Sequence, residues 1–124
     1  AVKLIRHLKA NQISLVIATS SSRKNFDVKA RNNKDLFNMF DHIICGNDVN
    51  NGKPEPDIFI KSCEILGNPP PKECLIFEDS INGVIAAQKA NMRVIWVPNK
   101  FITNEHIEVD DVVPSLLDFK PEKF

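Results

Sequence analysis

Apolar residues along this 124-residue chain fall into two kinds of segment. Some segments are short, continuous apolar runs with β-branched residues, which are typical of strands buried on both faces. Others place apolar residues three or four positions apart, which is the period of an amphipathic helix. The pattern predicts strands over residues 13–18, 42–45, 74–77, 93–97 and 112–113, helices over 2–10, 56–67 and 80–90, one or two helices within 25–40, and a turn at 116–117.

Strands and helices that alternate along a chain favour a parallel, doubly wound α/β fold. The predicted strands are apolar without alternation, which indicates that helices cover both faces of the sheet. No repeat, low-complexity tract or linker divides the sequence, and its length suits one domain over residues 1–124. Ligands of such sheets bind at the carboxyl ends of the strands, so polar residues at those ends are the first functional candidates.

Composition narrows the range of partners. Lys plus Arg and Asp plus Glu both number 16, and a net charge of zero gives no support to binding of nucleic acid or a membrane surface. Three cysteines without a C-x-x-C pair argue against a disulfide framework or a zinc site, and they favour a reducing, cytoplasmic setting. No apolar run approaches the roughly 20 residues that span a membrane. We expect a small-molecule partner and a monomeric protein.

Polar groups follow the predicted strands at three places. Thr19 and Ser20 follow the first strand, Lys53 lies in the loop before the third helical segment, and Glu78 and Asp79 directly follow the third strand. Hydroxyls and backbone amides at a strand end can hold phosphate oxygens, and a lysine supplies a positive charge for the same group. Two carboxylates can hold Mg²⁺, a cation that prefers oxygen ligands. Together these residues predict a site for a phosphate ester with its metal.

Each of these residues also has a purely structural interpretation. Residues 19–22 can cap the helix that follows them, Lys53 can be a solvated loop residue, and Asp79 or Ser80 can be the N-cap of the next helix. The basic residues between 23 and 34 form a solvated helix face more readily than a nucleotide-phosphate site. The order of the polar residues on successive strand ends favours the functional interpretation.

Three strings in the sequence carry a family resemblance: ATSS at residues 18–21, GKPEPDIF at 52–59 and FEDSINGV at 77–84. They resemble the second, third and fourth motifs of the haloacid dehalogenase superfamily. The closing strings DDVV at 110–113 and SLLDF at 115–119 are similar to the end of that family's core. Within the family, the chain most resembles the phosphoglucomutase-like branch and its pseudouridine 5′-monophosphatase type.

The resemblance implies a Rossmann-like core and an Mg²⁺-dependent phosphatase for a small phosphate ester. Pseudouridine 5′-monophosphate is the substrate it suggests, and a sugar-phosphate mutase of the same branch is an open alternative. Thr19 and the backbone amide of Ser20 would bind the phosphoryl group, and Lys53 would neutralise it together with the nucleophilic carboxylate. Asp79 would bind Mg²⁺ directly, and Glu78 would hold metal-bound water. The expected catalytic residues are therefore Thr19, Lys53 and Asp79.

Two further residues of the fourth motif would support this site, again by resemblance. Ser80 would lie behind the metal ligands, and Gly83 would let its helix pack closely. Asn91 stands where relatives usually have glycine after this helix. Asparagine tolerates the left-handed conformation, so we expect the helix to end there unchanged.

The family's first motif, Asp-x-Asp-x-Thr on the central strand, does not occur in these 124 residues. In the family that motif carries the aspartate that attacks phosphorus, and a mobile cap follows it. Its strand would lie between the predicted strands at 13–18 and 74–77, so we expect an incomplete sheet with a gap at its centre. We therefore expect the chain to be the carboxyl-terminal part of a longer enzyme and to be inactive alone. A non-catalytic phosphate- or metal-binding module is the alternative from another class.

Overall fold

The computed structural model describes residues 2–98 and 109–113 of the chain. Helices α1 to α5 are Val2–Ala10, Arg23–Ala30, Lys34–Phe37, Asp57–Ile65 and Ile81–Lys89. Strands β1 to β5 are Val16–Ala18, His42–Ile44, Leu75–Glu78, Arg93–Trp96 and Asp111–Val112. The turn expected at 116–117 and the SLLDF string lie outside the described residues. No helix in the described part of the chain has both the length and the apolar character needed to cross a bilayer.

Local sequence explains where several helices begin and end. Ser22 caps α2, and its hydroxyl accepts a hydrogen bond from the backbone N–H of Asn25 at 3.2 Å. Gly67 follows α4 with a φ of 88°, a conformation that glycine adopts without steric cost. Asn91 follows α5 with a φ of 61°, which confirms the expectation that asparagine serves here in place of glycine.

The first strand is shorter than the sequence predicted. The N–H of Ile13 donates to the carbonyl of Leu8 at 3.0 Å, so Ile13 belongs to the turn that ends α1. The Ile13 side chain is 46% exposed. β1 is also half-buried rather than fully buried, because among the described residues it pairs only with β2.

All described strand pairs are parallel, and they form two sheets. β1 pairs with β2 in one sheet, and the other sheet has the order β3-β4-β5. The parallel α/β fold is confirmed. Within the described residues β1 and β3 share no ladder, in agreement with the expected gap between them. That a further strand fills this gap in a longer protein stays a prediction.

Helices α4 and α5 contact each other and form one layer on the sheets. α4 packs on β1 and β2, and α5 packs on β3 and β4. The main core lies under this layer and includes Phe59, Val84, Val94 and Trp96. Side chains alternate along β4, so Ile95 faces the other side, where Leu4 of α1 packs. Helices therefore cover both faces of the β3–β5 sheet, as in a doubly wound fold.

Candidate active site

An open cleft of about 920 Å³ lies at the carboxyl ends of β1 and β3. Because parallel strands end at the same edge of a fold, segments that are distant in sequence meet there. The cleft lining includes all the site residues that the sequence singled out, which are Thr19, Ser20, Lys53, Glu78, Asp79 and Ser80. The three motif strings therefore contribute to one place in the molecule.

Lys53 connects the two sheets at this cleft. Its ammonium group donates to the carbonyl oxygen of Ala18 at 3.1 Å and forms an ion pair with Oε2 of Glu78 at 2.8 Å. The Lys53 side chain is only 9% exposed, and its Nζ lies 5.2 Å from the centre of the Phe59 ring. Lys53 is therefore not a solvated loop residue, because two protein acceptors and an aromatic ring hold its charge inside the fold.

The turn into α5 holds the other end of this ion pair. Oε1 of Glu78 accepts a hydrogen bond from the hydroxyl of Ser80 at 3.2 Å, and from the backbone N–H groups of Asp79 and Ser80 at 3.2 and 3.3 Å. Both carboxylate oxygens thus accept hydrogen bonds from the protein itself. Glu78 orients Lys53 in this arrangement, and its contact with metal-bound water stays a prediction.

Ser80 and Gly83 shape the space around Glu78. Ser80 is the N-cap of α5, and its hydroxyl accepts a hydrogen bond from the N–H of Gly83 at 3.0 Å. A Cβ atom added at Gly83 would overlap the carboxylate and Cγ of Glu78. Gly83 therefore has the close-packing role that was expected, and the group that needs the space is the Glu78 side chain.

Asp79 is the exposed carboxylate of the cleft. No described side chain donates to its carboxylate, while its backbone carbonyl accepts a hydrogen bond from the buried Trp96 indole N–H at 3.3 Å. Across residues 2–98 and 109–113, no three His, Cys, Asp or Glu residues form a metal-binding group. An exposed carboxylate with free oxygens nevertheless fits Mg²⁺, which keeps several waters and often binds proteins through one or two carboxylates. Asp79 fits as one such ligand.

The residues after β1 form the other wall of the cleft. The Thr19 hydroxyl accepts a hydrogen bond from the N–H of Ser21 at 3.2 Å. The N–H of Gly46 donates to the carbonyl of Ser21 at 2.8 Å, and a Cβ at Gly46 would overlap the carbonyl of Ser20. Because Ser22 alone caps α2, the capping interpretation holds for Ser22, while Thr19 and Ser20 line the cleft.

Two of the basic residues of α2 have protein partners. Arg23 forms an ion pair with Asp48 at 2.8 Å, and Lys29 donates to the hydroxyl of Ser21 at 3.3 Å. The backbone N–H of Cys45 donates to the Asp48 carboxylate, and this bond, with help from Arg23, lowers the pKa of Asp48 below its ordinary value of 3.8. These contacts agree with the structural interpretation of the basic segment.

Sequence reasoning missed part of the cleft lining. Asn82 lines the cleft on the first turn of α5, and Phe77, Ile81 and Val97 add apolar surface. Asn82 follows Asp79 by three positions at a helix start, and that spacing was the available signal, because residues three apart share one side of a helix. The cleft is therefore mixed in character, with charge at its base and amide and apolar groups on the α5 side.

Several known proteins are similar to this chain. A family model described as haloacid dehalogenase-like hydrolase matches residues 1–91. Over its whole length the chain is 44% identical to a probable pseudouridine-5′-phosphatase of Drosophila melanogaster, and 40% identical to (DL)-glycerol-3-phosphatase 1, mitochondrial, of Arabidopsis thaliana. It covers 56% and 43% of these proteins, which is about half their length.

The fold has a similar relative among solved structures. The crystal structure of CbbY from Rhodobacter sphaeroides in complex with phosphate superposes with a TM-score of 0.84 at 31% sequence identity. The match covers 94% of this chain and 52% of that one. In the sequence and the structure comparison alike, the chain matches about half of a longer protein.

Proposed function

The chain belongs to the haloacid dehalogenase-like hydrolase family, and from this premise we propose that the whole protein is an Mg²⁺-dependent phosphomonoester hydrolase for a small phosphorylated metabolite. The observation that carries the proposal is the convergence of Thr19, Lys53 and Asp79 on one cleft. A hydroxyl, a buried ammonium and an exposed carboxylate are the groups that such a reaction needs for phosphate and metal.

Lys53 would bind and neutralise the phosphoryl group. Its ammonium has three N–H donors, of which Ala18 and Glu78 use two, so one donor is left for a phosphate oxygen. Because the side chain is largely removed from water, its attraction to a phosphate in the cleft would be screened less than that of a surface lysine. The bond to Glu78 would keep the ammonium in place during the reaction.

Thr19 and Ser20 would hold the same group from the other wall. The Thr19 hydroxyl accepts one bond from the Ser21 N–H, and its own proton can be donated to a phosphate oxygen. No described acceptor takes the backbone N–H of Ser20, which suits it to the same task. Two donors on this wall and the ammonium opposite would fix the orientation of a tetrahedral phosphate.

Asp79 would hold the metal. Mg²⁺ bound there would neutralise negative charge on the phosphoryl group and so favour attack on phosphorus. The N–H of Asp79 is bonded to Glu78 and its carbonyl to Trp96, so the backbone on both sides of the side chain is fixed. Ser80 would support this arrangement through its bond to Glu78.

The nucleophile in this proposal lies outside the 124 residues. The family resemblance implies an aspartate of an Asp-x-Asp-x-Thr motif, which would attack phosphorus and form an aspartyl-phosphate that water then hydrolyses. No such motif occurs in this sequence. The second candidate function is a phosphate- or metal-binding module, in which Lys53 and Asp79 would bind their ligands without turnover. A sugar-phosphate mutase remains an option within the same branch.

For the substrate we propose pseudouridine 5′-monophosphate first and glycerol 3-phosphate second. The names of the two relatives support these choices. Asn82 and the apolar residues of the α5 side offer hydrogen-bonding and apolar contacts to the part of the substrate beyond its phosphate. We further propose a cytoplasmic location, which the three free thiols support.

The experiment that tests the proposal uses the protein at the length its source makes. Phosphate release from both substrates is measured with Mg²⁺ and after its removal by a chelator. We expect release that needs Mg²⁺, is lost in Asp79→Asn, and is retained in Lys89→Met, a charge change outside the cleft. Phosphate binding without release would favour the binding module, and transfer of phosphate between sugar positions would favour the mutase. Release that Asp79→Asn leaves intact would contradict the proposed metal site.

A further inference from the structure

Two of the three cysteines lie together at the turn that joins α4 to β3. The sulfur of Cys63 is 3.2 Å from the carbonyl oxygen of Pro69, and the sulfur of Cys74 is 3.9 Å from that of Pro70. These carbonyls belong to consecutive residues of one short turn, so both sulfur atoms lie against the same turn. Both side chains are partly buried and pack against the same core cluster.

The electrostatics agree with this proximity. Burial raises the pKa of Cys74, and the neighbouring thiol of Cys63 raises it further. Cys45 is different, because it is fully buried after β2 and burial is the main cause that raises its pKa. The molecule thus contains one pair of adjacent, partly exposed thiols and one enclosed thiol that serves as an internal control.

The two cysteines lie on the segments that also carry Lys53 and Glu78. Cys63 is near the end of α4, whose preceding loop carries Lys53, and Cys74 directly precedes β3, whose last residue is Glu78. A covalent bond between the cysteines would join, at one end, the same two segments that the buried ion pair joins at the other.

We propose that Cys63 and Cys74 form an oxidation site at which hydrogen peroxide produces an intramolecular disulfide. One thiolate attacks a peroxide oxygen, the O–O bond breaks, and the leaving hydroxide takes up a proton to become water. The product is a sulfenic acid on that sulfur. The second sulfur then attacks the sulfenic sulfur, the S–O bond breaks, and the oxygen leaves as a second water. Two thiols and one peroxide give one disulfide and two waters.

Sequence spacing gave no sign of this site, because ten other residues separate the two cysteines and no C-x-x-C pair is present. The turn at Pro69 and Pro70 brings them together after folding. A disulfide demands close approach of the two Cα atoms, within about 7 Å, so the bond forms readily only if folding brings the two residues together. Formation of the bond in the native protein therefore tests the geometry directly.

Trypsin provides a sharp test because lysines separate the three cysteines. The expected cysteine peptides are 35–61, 62–72 and 73–89. We expect the native protein treated with hydrogen peroxide to lose two hydrogen atoms in intact mass and to yield peptide 62–72 linked to 73–89. A thiol reductant should separate them, and peptide 35–61 should keep an alkylatable thiol. Because thiolates are the attacking species, the reaction should be faster at alkaline than at neutral pH.

Matched variants complete the test. Cys63→Ser and Cys74→Ser should each abolish the loss of two hydrogens, whereas Cys45→Ser should retain it. The inference is overturned if native wild-type protein keeps both thiols alkylatable, if both become sulfinic acids without a link, or if Cys45 is the linked partner. These results come from the wild-type protein, so they test the inference even where a variant fails to fold.

Discussion

Two lysine–glutamate pairs join the loop before α4 to the β3–α5 segment, and their surroundings differ completely. Lys53 and Glu78 lie 2.8 Å apart with side chains 9% and 8% exposed, whereas Lys89 and Glu55 lie 3.1 Å apart with side chains 45% and 51% exposed. Solvent screens the Lys89–Glu55 pair, and exposed pairs of this kind contribute about 0–1 kcal/mol to stability. Loss of either Lys53 or Glu78 would leave the charge of the other residue buried without its ionic partner. Burial, rather than pairing, therefore distinguishes the lysine of the cleft.

The two pairs also differ in position, because the buried pair lines the cleft and the exposed pair does not. Burying two charges is costly, and apolar residues of similar volume often stabilise a protein as well or better. Lys53 and Glu78 lie where two sheets end and where an open cleft meets solvent. The proposed phosphate site would account for a charge kept there at a cost to stability.

The largest effect should come from breaking the buried pair. Lys53→Met keeps much of the apolar stem but leaves Glu78 unpaired, so we expect the free energy of unfolding to fall by roughly 3–5 kcal/mol. Lys89→Met removes the charge of the exposed pair and should cost at most about 1 kcal/mol. Urea denaturation of both variants measures the difference. The double variant Lys53→Met/Glu78→Gln should recover part of the loss. Equal losses of unfolding free energy in Lys53→Met and Lys89→Met would contradict the comparison.

A smaller effect should come from filling the space beside Glu78. Gly83→Ala places a methyl group into the Glu78 side chain, and overpacking of this kind costs typically about 1–3 kcal/mol. Gly52→Ala is the matched control, because a Cβ there meets no atom within 4 Å. Denaturation in a Glu78→Ala background should show a smaller cost for Gly83→Ala. An undiminished cost would mean that Gly83 does not act through Glu78.

The smallest effect concerns Asp48, a partly buried carboxylate outside the cleft. The Cys45 N–H and Arg23 lower the pKa of Asp48 in the folded protein, so its contribution to stability is present above 3.8 and is lost as pH falls through the lower folded value. We expect wild type to lose stability on acidification more steeply than Asp48→Asn. Thermal midpoints across this pH range measure the two slopes. Identical slopes would show that the Asp48 contacts add nothing to the folded state.

Most elements of the fold could be predicted because their signals are local. The apolar run before Glu78 and the Ser80 cap define β3 and the start of α5 within a few residues. Thr19 and Asp79 could be placed at strand ends, and Lys53 in the loop before α4, because the strands and helices themselves were visible. Ile13 was assigned to a strand wrongly, since its bond to Leu8 depends on how α1 ends rather than on its own β-branched character.

The contacts within the site could not be read in the same way. The pairing of Lys53 with Glu78, the fit of Gly83 against that carboxylate and the approach of Cys63 to Cys74 all depend on how segments pack. A lysine in a polar loop has the same sequence environment whether it ends buried or solvated. Only the tertiary structure shows that Lys53 is buried, whereas Lys89 at the end of α5 is exposed.

The most direct test of the central claim is the affinity of the native protein for inorganic phosphate in the presence of Mg²⁺, measured by calorimetry. We predict that Lys53→Met weakens binding about tenfold or more, since a charge-assisted hydrogen bond is lost. Thr19→Val leaves the buried ion pair intact and should also weaken binding, whereas Lys89→Met should bind as wild type does. If the Lys53 and Thr19 variants bound phosphate as tightly as the Lys89 variant, the account of this cleft as a phosphate site would be contradicted.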